Sequence, residues 1–249
     1  MIDAVKTRDR LVEEIKTWIN AKNPNGKAVL GISGGKDSTV VAGLLVRALG
    51  VDRVIGVMMP NGTQKDINDS YRVFKALGIK EWTVNIGGAF NSIVDEVESN
   101  GIKCSDDAKV NLQPKLRLAS LYAILQSVPN WGFVINTSNR SETYVGYGTN
   151  WGDFGTGDVS VLGNYFVSEI FAIGDTMPEL PYDLVHKAPS DGLWGDTDED
   201  RLGFTYDELE AYIMTGTSGD AEKDKKITRM HANAKHKLTN VPLLGEPTI

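Results

Sequence analysis

The fold of this chain is decided at Val29-Leu30-Gly31-Ile32-Ser33-Gly34-Gly35-Lys36-Asp37-Ser38, where an apolar run passes into a turn rich in glycine and serine. Glycine lets the backbone turn sharply and bring successive N–H groups into one concavity, which favours anions. Residues 39–49 then carry apolar side chains at helical spacing, so the turn opens a helix whose positive N-terminus faces the same point. A strand, a glycine turn and a helix in this order predict a phosphate-binding loop.

An acidic residue in this loop distinguishes it from a simple phosphate cradle. Asp37 would repel a bare phosphate but suits one that carries Mg²⁺, which prefers carboxylate and phosphate oxygens. A Walker A loop needs Ser or Thr directly after its Lys, and here Asp37 follows Lys36. The sequence SGGKDS resembles instead the pyrophosphate loop of the ATP pyrophosphatases, which split ATP into AMP and pyrophosphate. A purely structural glycine turn is the alternative.

Composition limits the classes of protein that need to be considered. The 249 residues are 41% hydrophobic, which supports a sizeable core, and the net charge of −7 argues against a broad nucleic-acid surface. Residues 1–20 are amphipathic and interrupted by charges, which predicts neither a signal peptide nor a membrane span. Cys104 is the sole cysteine, so a disulfide within the chain is excluded. We expect a cytoplasmic protein without nucleic-acid or membrane partners.

Apolar runs rich in β-forming residues alternate with helical patterns along the first half of the chain. The runs cover 28–32, 53–58, 81–85 and 131–136, and the helical patterns cover 38–49, 66–77, 89–97 and 114–126. This alternation predicts an α/β fold, a Rossmann-like three-layer sandwich with a central parallel sheet. Ligands of such sheets bind at the carboxyl ends of the strands. After Gly174 the strand signal fades, and helical patterns at 206–214 and 222–237 form a candidate lid or interface.

A second polar cluster, TSNRSETYVGYGTNWGD at residues 137–153, follows the strand that ends at Asn136. Glu142 lies where a helix would begin, and its spacing from Asn139 also fits a helix cap. Taken alone, Glu142 is better explained as a capping acid. Because Mg²⁺ on ATP takes one or two protein carboxylates, Glu142 becomes the predicted second ligand once Asp37 is considered with it.

Taken together, the motifs resemble the ammonia-dependent NAD synthetases, members of the PP-loop ATP pyrophosphatase superfamily with an adenine nucleotide alpha hydrolase-like fold. The blocks that carry the resemblance are 31–38, NLQPKLR at 111–117, 137–153, KAPSDGLW at 187–194 with LGFTYDEL at 202–209, and His236-Lys237 before Val241-Pro242. They follow the family's order over most of the chain. The resemblance implies one NAD synthetase domain over residues 1–249, no glutaminase domain, and a homodimer.

The activity that the resemblance implies is an ATP-dependent amidation of nicotinic acid adenine dinucleotide (deamido-NAD) with ammonia. The nicotinate carboxylate attacks the α-phosphate, pyrophosphate leaves, and ammonia displaces AMP. Such a reaction needs charge neutralisation on phosphoryl oxygens rather than a protein nucleophile. The implied catalytic residues are Asp37, Glu142 and Asp153, of which Asp37 and Glu142 hold Mg²⁺, with ATP as co-substrate.

The resemblance also implies which residues bind the two nucleotides. The implied ATP contacts are Gly31, Ile32, Ser33, Gly34, Gly35, Lys36, Asp37, Ser38, Thr137 and Ser190. The implied deamido-NAD contacts are Lys115, Arg117, Asn150, Asp158, His236 and Lys237.

The chain departs from the family pattern at several of these places. Lys115 stands where many members have an Arg, Asn150 and Val167 stand where they have Lys, and one inserted residue precedes Asp158. Fewer cations favour an alternative, a weakened nucleotide-binding homologue, although Lys36 could supply part of the missing charge. A tRNA-modifying ligase with the same loop is a further alternative, but a single cysteine and an acidic balance do not support it.

Overall fold

The computed structural model describes residues 2–64, 66–188 and 197–238, which contain a parallel sheet of five strands. The strands are β1 (Ala28–Gly31), β2 (Val54–Met58), β3 (Glu81–Thr83), β4 (Phe133–Asn136) and β5 (Val159–Ser160), in the order β3-β2-β1-β4-β5. Each neighbouring pair is parallel. The predicted parallel sheet is therefore confirmed. The sequence pattern gives no signal for β5, because a strand of two residues is too short to show alternation.

Helices precede, connect and follow the strands. They are α1 (Ala4–Lys22), α2 (Lys36–Leu49), α3 (Ile67–Leu77), α4 (Gly87–Ser99), α5 (Asp106–Ser127), α6 (Arg140–Val145), α7 (Val167–Asp175), α8 (Tyr182–Val185), α9 (Asp198–Leu202), α10 (Tyr206–Thr215) and α11 (Ala221–Leu238). No helix in the described ranges combines the length and the apolar character needed to span a membrane.

Several helices begin earlier than their sequence patterns predict, and α5 and α2 are the two that bear on the site. α5 begins at Asp106 rather than at Pro114, because the Ser105 side chain caps it by accepting a hydrogen bond from the Ala108 N–H. Pro114 lies inside the helix, although proline there removes a backbone hydrogen bond. α2 begins at Lys36 rather than at residue 38. This earlier start places Lys36 and Asp37 in the first turn, where their side chains reach the site described below.

The strands divide their side chains between two cores. Leu30 and Met58 belong to a core shared with α1, α2, α3, α7 and α8, whereas Val29 and Val57 belong to a core shared with α5. Successive side chains of a strand point to opposite faces, so both faces of the sheet are covered by helices. This arrangement confirms the predicted three-layer α/β sandwich.

A third apolar cluster packs the C-terminal helices beside the end of β4. Val145 of α6, Val167 of α7, Leu209 of α10 and Ile227 of α11 are buried in it. The segment after Gly174 is therefore built against the helix that carries Glu142. Its role as a lid or an interface remains a prediction.

Gly34 is the one position of the loop after β1 that only glycine fits. Its φ is +77°, and an added Cβ would lie 2.6 Å from the Cβ of Asp69 in α3. The loop thus lies against α3, and this close approach requires a residue without a Cβ at position 34.

Candidate functional site

The carboxyl ends of β1, β2 and β4 open into one cleft of about 710 Å³. Every residue from Gly31 to Ser38 except Gly34 lines it, together with Met59 after β2 and Thr137 after β4. Strands β2, β1 and β4 are adjacent in the sheet, which brings the loops that follow them to one edge. The volume falls in the range of about 300–1,000 Å³ that is typical of small-molecule sites.

Hydrogen bonds within the loop fix its shape before any ligand binds. The Gly35 N–H donates to the Ser33 Oγ at 3.2 Å, and the Ser38 and Thr39 hydroxyls donate to the Gly35 carbonyl at 3.2 and 2.8 Å. Gly35 also caps the N-terminus of α2. The arrangement presents the positive end of a 14-residue helix to the cleft, as a phosphate site requires.

A buried ammonium lies between the two predicted metal ligands. The Lys36 Nζ is 2.9 Å from Asp37 Oδ2 and 3.8 Å from Glu142 Oε1, and the Lys36 side chain is only 3% exposed. Burial alone would lower the pKa of Lys36, but attraction to Asp37 and Glu142 outweighs it and raises the pKa. Lys36 therefore stays charged and draws both carboxylates to one point of the cleft.

Asn139 connects the backbone of Glu142 to the carboxylate of Asp37. Its Oδ1 accepts the Glu142 N–H at 2.9 Å, and its Nδ2 donates to Asp37 Oδ1 at 3.2 Å. Asn139 thus caps α6, which leaves the Glu142 carboxylate available to the cleft. The sequence shows the capping spacing, but it holds no signal for the contact with Asp37, which is 102 positions away.

The surroundings of Glu142 strongly favour its protonated form. Burial and then the negative charge of Asp37 raise the pKa of Glu142 to about 8, although Lys36 opposes the shift. Asp198, the first residue of α9, is 5% exposed and adds to the negative potential. The Tyr206 hydroxyl donates to Asp198 Oδ2 at 3.3 Å, and burial raises the pKa of Tyr206. A further cation at this point would offset the negative charges of Asp37 and Asp198 and would stabilise the ionised form of Glu142.

The donor set fits a magnesium ion that arrives with a nucleotide. Asp37 and Glu142 offer hard carboxylate oxygens on the cleft wall. Within the described part of the chain, no three His, Cys, Asp or Glu side chains group closely enough to hold a metal ion by themselves. Mg²⁺ commonly takes one or two protein carboxylates and completes its shell with water and phosphate oxygens.

Asp153 and Arg117 line the cleft and are each fixed by a backbone contact. Asp153 Oδ2 accepts the Thr149 N–H at 2.7 Å, and Arg117 Nε donates to the Met59 carbonyl at 3.2 Å. Burial raises the pKa of Asp153 and lowers the pKa of Arg117. These side chains bring a proton acceptor and a cation to the wall of the cleft.

The other predicted substrate contacts do not line the cleft. Lys115 and His236 are exposed, and Asn150 is half-buried. Asp158 accepts the Val134 N–H at 2.7 Å and so holds β4. Lys237 donates to the carbonyls of Gly146 and Gly148 at 3.0 and 2.9 Å, which fixes the turn after α6. Substrate contact by these five residues remains a prediction.

The remaining residues named in the sequence analysis are Val167 and Ser190. Val167, at the place of a family lysine, is buried in the third apolar cluster and brings no charge to the cleft. Ser190 lies outside the described residues.

Several cleft residues carry no local signal in the sequence that points to the cleft. Lys187 lines the cleft, and its Nζ is 3.1 Å from Asp66 and 2.8 Å from Asp69 of α3. Asp198 follows Thr197, whose capping pattern with Asp200 is readable in the sequence. That pattern locates the start of α9, but nothing local indicates that α9 faces the cleft.

Comparison with known proteins shows the family to which the chain belongs. The family model described as NAD synthase matches residues 8–241. The NH(3)-dependent NAD(+) synthetase of Finegoldia magna is 36% identical, with 91% of this chain and 93% of the relative covered. The synthetase of the same name from Pyrococcus horikoshii is 39% identical, with 82% and 77% covered. A solved structure, the NMN synthetase from Francisella tularensis, superposes with a TM-score of 0.86 at 30% identity, covering 99% of this chain and 100% of that one. The chain belongs to the NAD synthase family.

Proposed function

We propose that this protein amidates deamido-NAD to NAD with ammonia and ATP, releasing AMP and pyrophosphate. One observation carries the proposal: in a chain of the NAD synthase family, the Gly31–Ser38 loop, Asp37 and Glu142 meet in a single cleft. An ATP-driven activation needs this combination of phosphate-binding amides and metal-binding carboxylates.

The reaction proceeds through an adenylylated intermediate. An oxygen of the nicotinate carboxylate attacks the α-phosphorus of ATP, and the bond to pyrophosphate breaks. Ammonia then adds to the acyl carbon, and AMP departs with the oxygen that made the attack. The N–H groups of the loop and the N-terminus of α2 would hold the phosphates, and Thr137, which also lines the cleft, would lie along ATP.

Asp37 and Glu142 would hold Mg²⁺, which supplies charge neutralisation on the phosphoryl oxygens when it is bound. Asp153 serves the second half of the reaction, because its carboxylate lines the cleft and its Oδ2 is oriented by Thr149. A raised pKa suits a group that accepts the proton lost as ammonia adds. Arg117, a half-buried side chain of the cleft lining, offers the substrate a positive charge.

A second candidate substrate is the mononucleotide, whose amidation gives nicotinamide mononucleotide. The superposition on an NMN synthetase over almost the whole of both chains favours it. The chemistry at the carboxyl group is the same in both cases, so the two candidates differ only in the group attached beyond the ribose phosphate.

We also propose that the chain acts as one catalytic domain, in the cytoplasm and as a homodimer. The dimer follows from the family resemblance and is expected to persist with ligands bound. Light scattering coupled to size-exclusion chromatography, with MgATP and substrate present, should give about twice the mass of the 27.2 kDa chain. A monomer under these conditions contradicts the dimer.

The test of the proposed function is an assay of the purified protein with MgATP, ammonium and either the dinucleotide or the mononucleotide acid. The expected result is formation of NAD from the dinucleotide. This reaction should require ammonium, and glutamine should not substitute for ammonium. Faster turnover of the mononucleotide would select the second candidate. Binding of ATP without AMP production from either acid would favour the weakened homologue.

A further inference from the structure

The position of Lys36 between Asp37 and Glu142 suggests a role other than adding positive charge for phosphate binding. We propose that Lys36 is a built-in counter-ion of the acidic pair, and that a divalent cation binds to Asp37 and Glu142 in competition with its ammonium. The inference rests on the proposed function in one respect, the assignment of Asp37 and Glu142 as the metal ligands. Lys36 is then a positioning residue, which acts through these carboxylates.

The distances place the ammonium and the metal in conflict. The Lys36 Nζ lies 2.9 Å from Asp37 Oδ2. A Mg²⁺ bonded to that oxygen at about 2.1 Å would lie within about 5 Å of the Nζ as it stands. Two cations this close in a partly buried site repel each other strongly, because little water screens them. The metal must therefore displace the ammonium or bind more weakly beside it.

The side chain has few alternatives to this position. Lys36 is 3% exposed, and its Nζ also lies 5.6 Å from the centre of the Tyr206 ring. The charged groups that act on it are Asp37, Glu142 and Asp198, from α2, α6 and α9. A buried ammonium is stable only with such partners, and the carboxylates equally need a cation. Lys36 thus keeps the acidic cluster assembled when no metal is bound.

The same geometry argues against Lys36 as a simple phosphate-binding lysine. A lysine that reaches phosphates in a Walker-type loop extends into the ligand space. Here the ammonium is directed to the carboxylates on the wall of the cleft. A phosphate-binding role would predict a loss of ATP affinity in variants, with metal affinity unchanged.

The test compares Mn²⁺ binding to the wild-type protein and to Lys36→Met without nucleotide, by electron paramagnetic resonance. Removing the competing charge should tighten Mn²⁺ binding about tenfold or more. Lys36→Arg keeps the charge and should bind Mn²⁺ as weakly as the wild type. Lys223→Met is the matched control, because it removes the same charge from an ion pair with Glu208 that lies outside the cleft lining.

Thermal unfolding keeps the inference testable if Lys36→Met is unstable. In EDTA the variant should unfold at a lower temperature than the wild type, and Mn²⁺ should restore its stability in a dose-dependent way. Unchanged or weaker Mn²⁺ binding by Lys36→Met overturns the inference, as does a loss of stability that Mn²⁺ leaves uncorrected. Mn²⁺ binding and thermal unfolding are measured without turnover. The proposed function is tested by the turnover of the wild-type enzyme, so the two can fail independently.

Discussion

At the scale of single residues, the site depends on side chains that each serve two groups. Asn139 caps α6 and binds Asp37, while Lys36 contacts Asp37 and Glu142. A carboxylate held from two sides loses little conformational freedom when a ligand arrives, so the site is ordered in advance. Substitution of the half-buried carboxylates here should therefore affect the reaction more than the fold, whereas loss of the buried Lys36 should also affect stability.

Substituting Asp37→Ala should lower the rate of AMP formation about a hundredfold or more, because a predicted metal ligand and the anchor of Lys36 are lost together. The measurement is AMP and pyrophosphate release at saturating MgATP. Asp207→Ala, an exposed acid in the first turn of α10, is the matched control and should leave the rate unchanged. Near-normal AMP production by Asp37→Ala would remove the assignment of the metal site.

Substituting Lys237→Ala should raise the KM for the dinucleotide several-fold with little change in kcat. Lys237 fixes the carbonyls of Gly146 and Gly148 in the loop that leads to Asp153, so its loss loosens binding more than chemistry. Lys235→Ala, an exposed lysine of the same helix, is the control. A fall in kcat at constant KM would count against this role.

Whether the sequence predicts a contact at this scale depends on whether the contact is local in the chain. The loop residues and the capping of α6 by Asn139 are local, so their spacing is enough to find them. The contacts of Lys36 with Glu142 and of Tyr206 with Asp198 depend on where whole helices lie. The raised pKa of Glu142 depends on burial, and spacing does not report burial.

At the scale of elements, Glu210 of α10 ties three helices together. It is 4% exposed and accepts hydrogen bonds from Ser141 of α6 and Ser168 of α7. The Ser141 hydroxyl in turn accepts the Val167 N–H. A buried carboxylate with several donors positions α6, the helix that carries Glu142, against the C-terminal helices.

Substituting Glu210→Ala should lower the free energy of unfolding by about 2–4 kcal/mol, because two serine hydroxyls and a backbone N–H lose their buried acceptor. Urea denaturation measures this change. Glu222→Ala removes an exposed acid whose ion pair is with a likewise exposed lysine, and should cost about 0.5 kcal/mol or less. A loss under about 1 kcal/mol for Glu210→Ala would show that the three helices do not depend on this contact.

Elements were predicted from the sequence where periodicity was long and unbroken. β1, β2, β4 and α3 follow their apolar patterns closely, because both faces of each strand and one face of the helix are buried. The sequence pattern does not indicate the first part of α5, because Pro114 usually marks a helix start or end. β5 has no detectable pattern, since its pairing with β4 decides its structure.

At the scale of the whole molecule, the sheet order explains how distant motifs form one cleft. β1 lies between β2 and β4, so the loops after all three strands meet at one edge, and the C-terminal helices pack beside α6. The sequence predicts this edge from the alternation of strands and helices. It predicts a cation from Lys36 in the loop, but it does not predict that Lys187 brings another cation to the cleft or that Val167 is buried.

The most direct test of the proposed reaction follows an oxygen atom. Deamido-NAD labelled with ¹⁸O in its nicotinate carboxylate is incubated with the protein, MgATP and ammonium, and the products are analysed by mass spectrometry. Attack on the α-phosphorus predicts one ¹⁸O in AMP, equal amounts of AMP, pyrophosphate and NAD, and unlabelled pyrophosphate. Label in inorganic phosphate together with ADP, or NAD formed without label in AMP, would contradict the account.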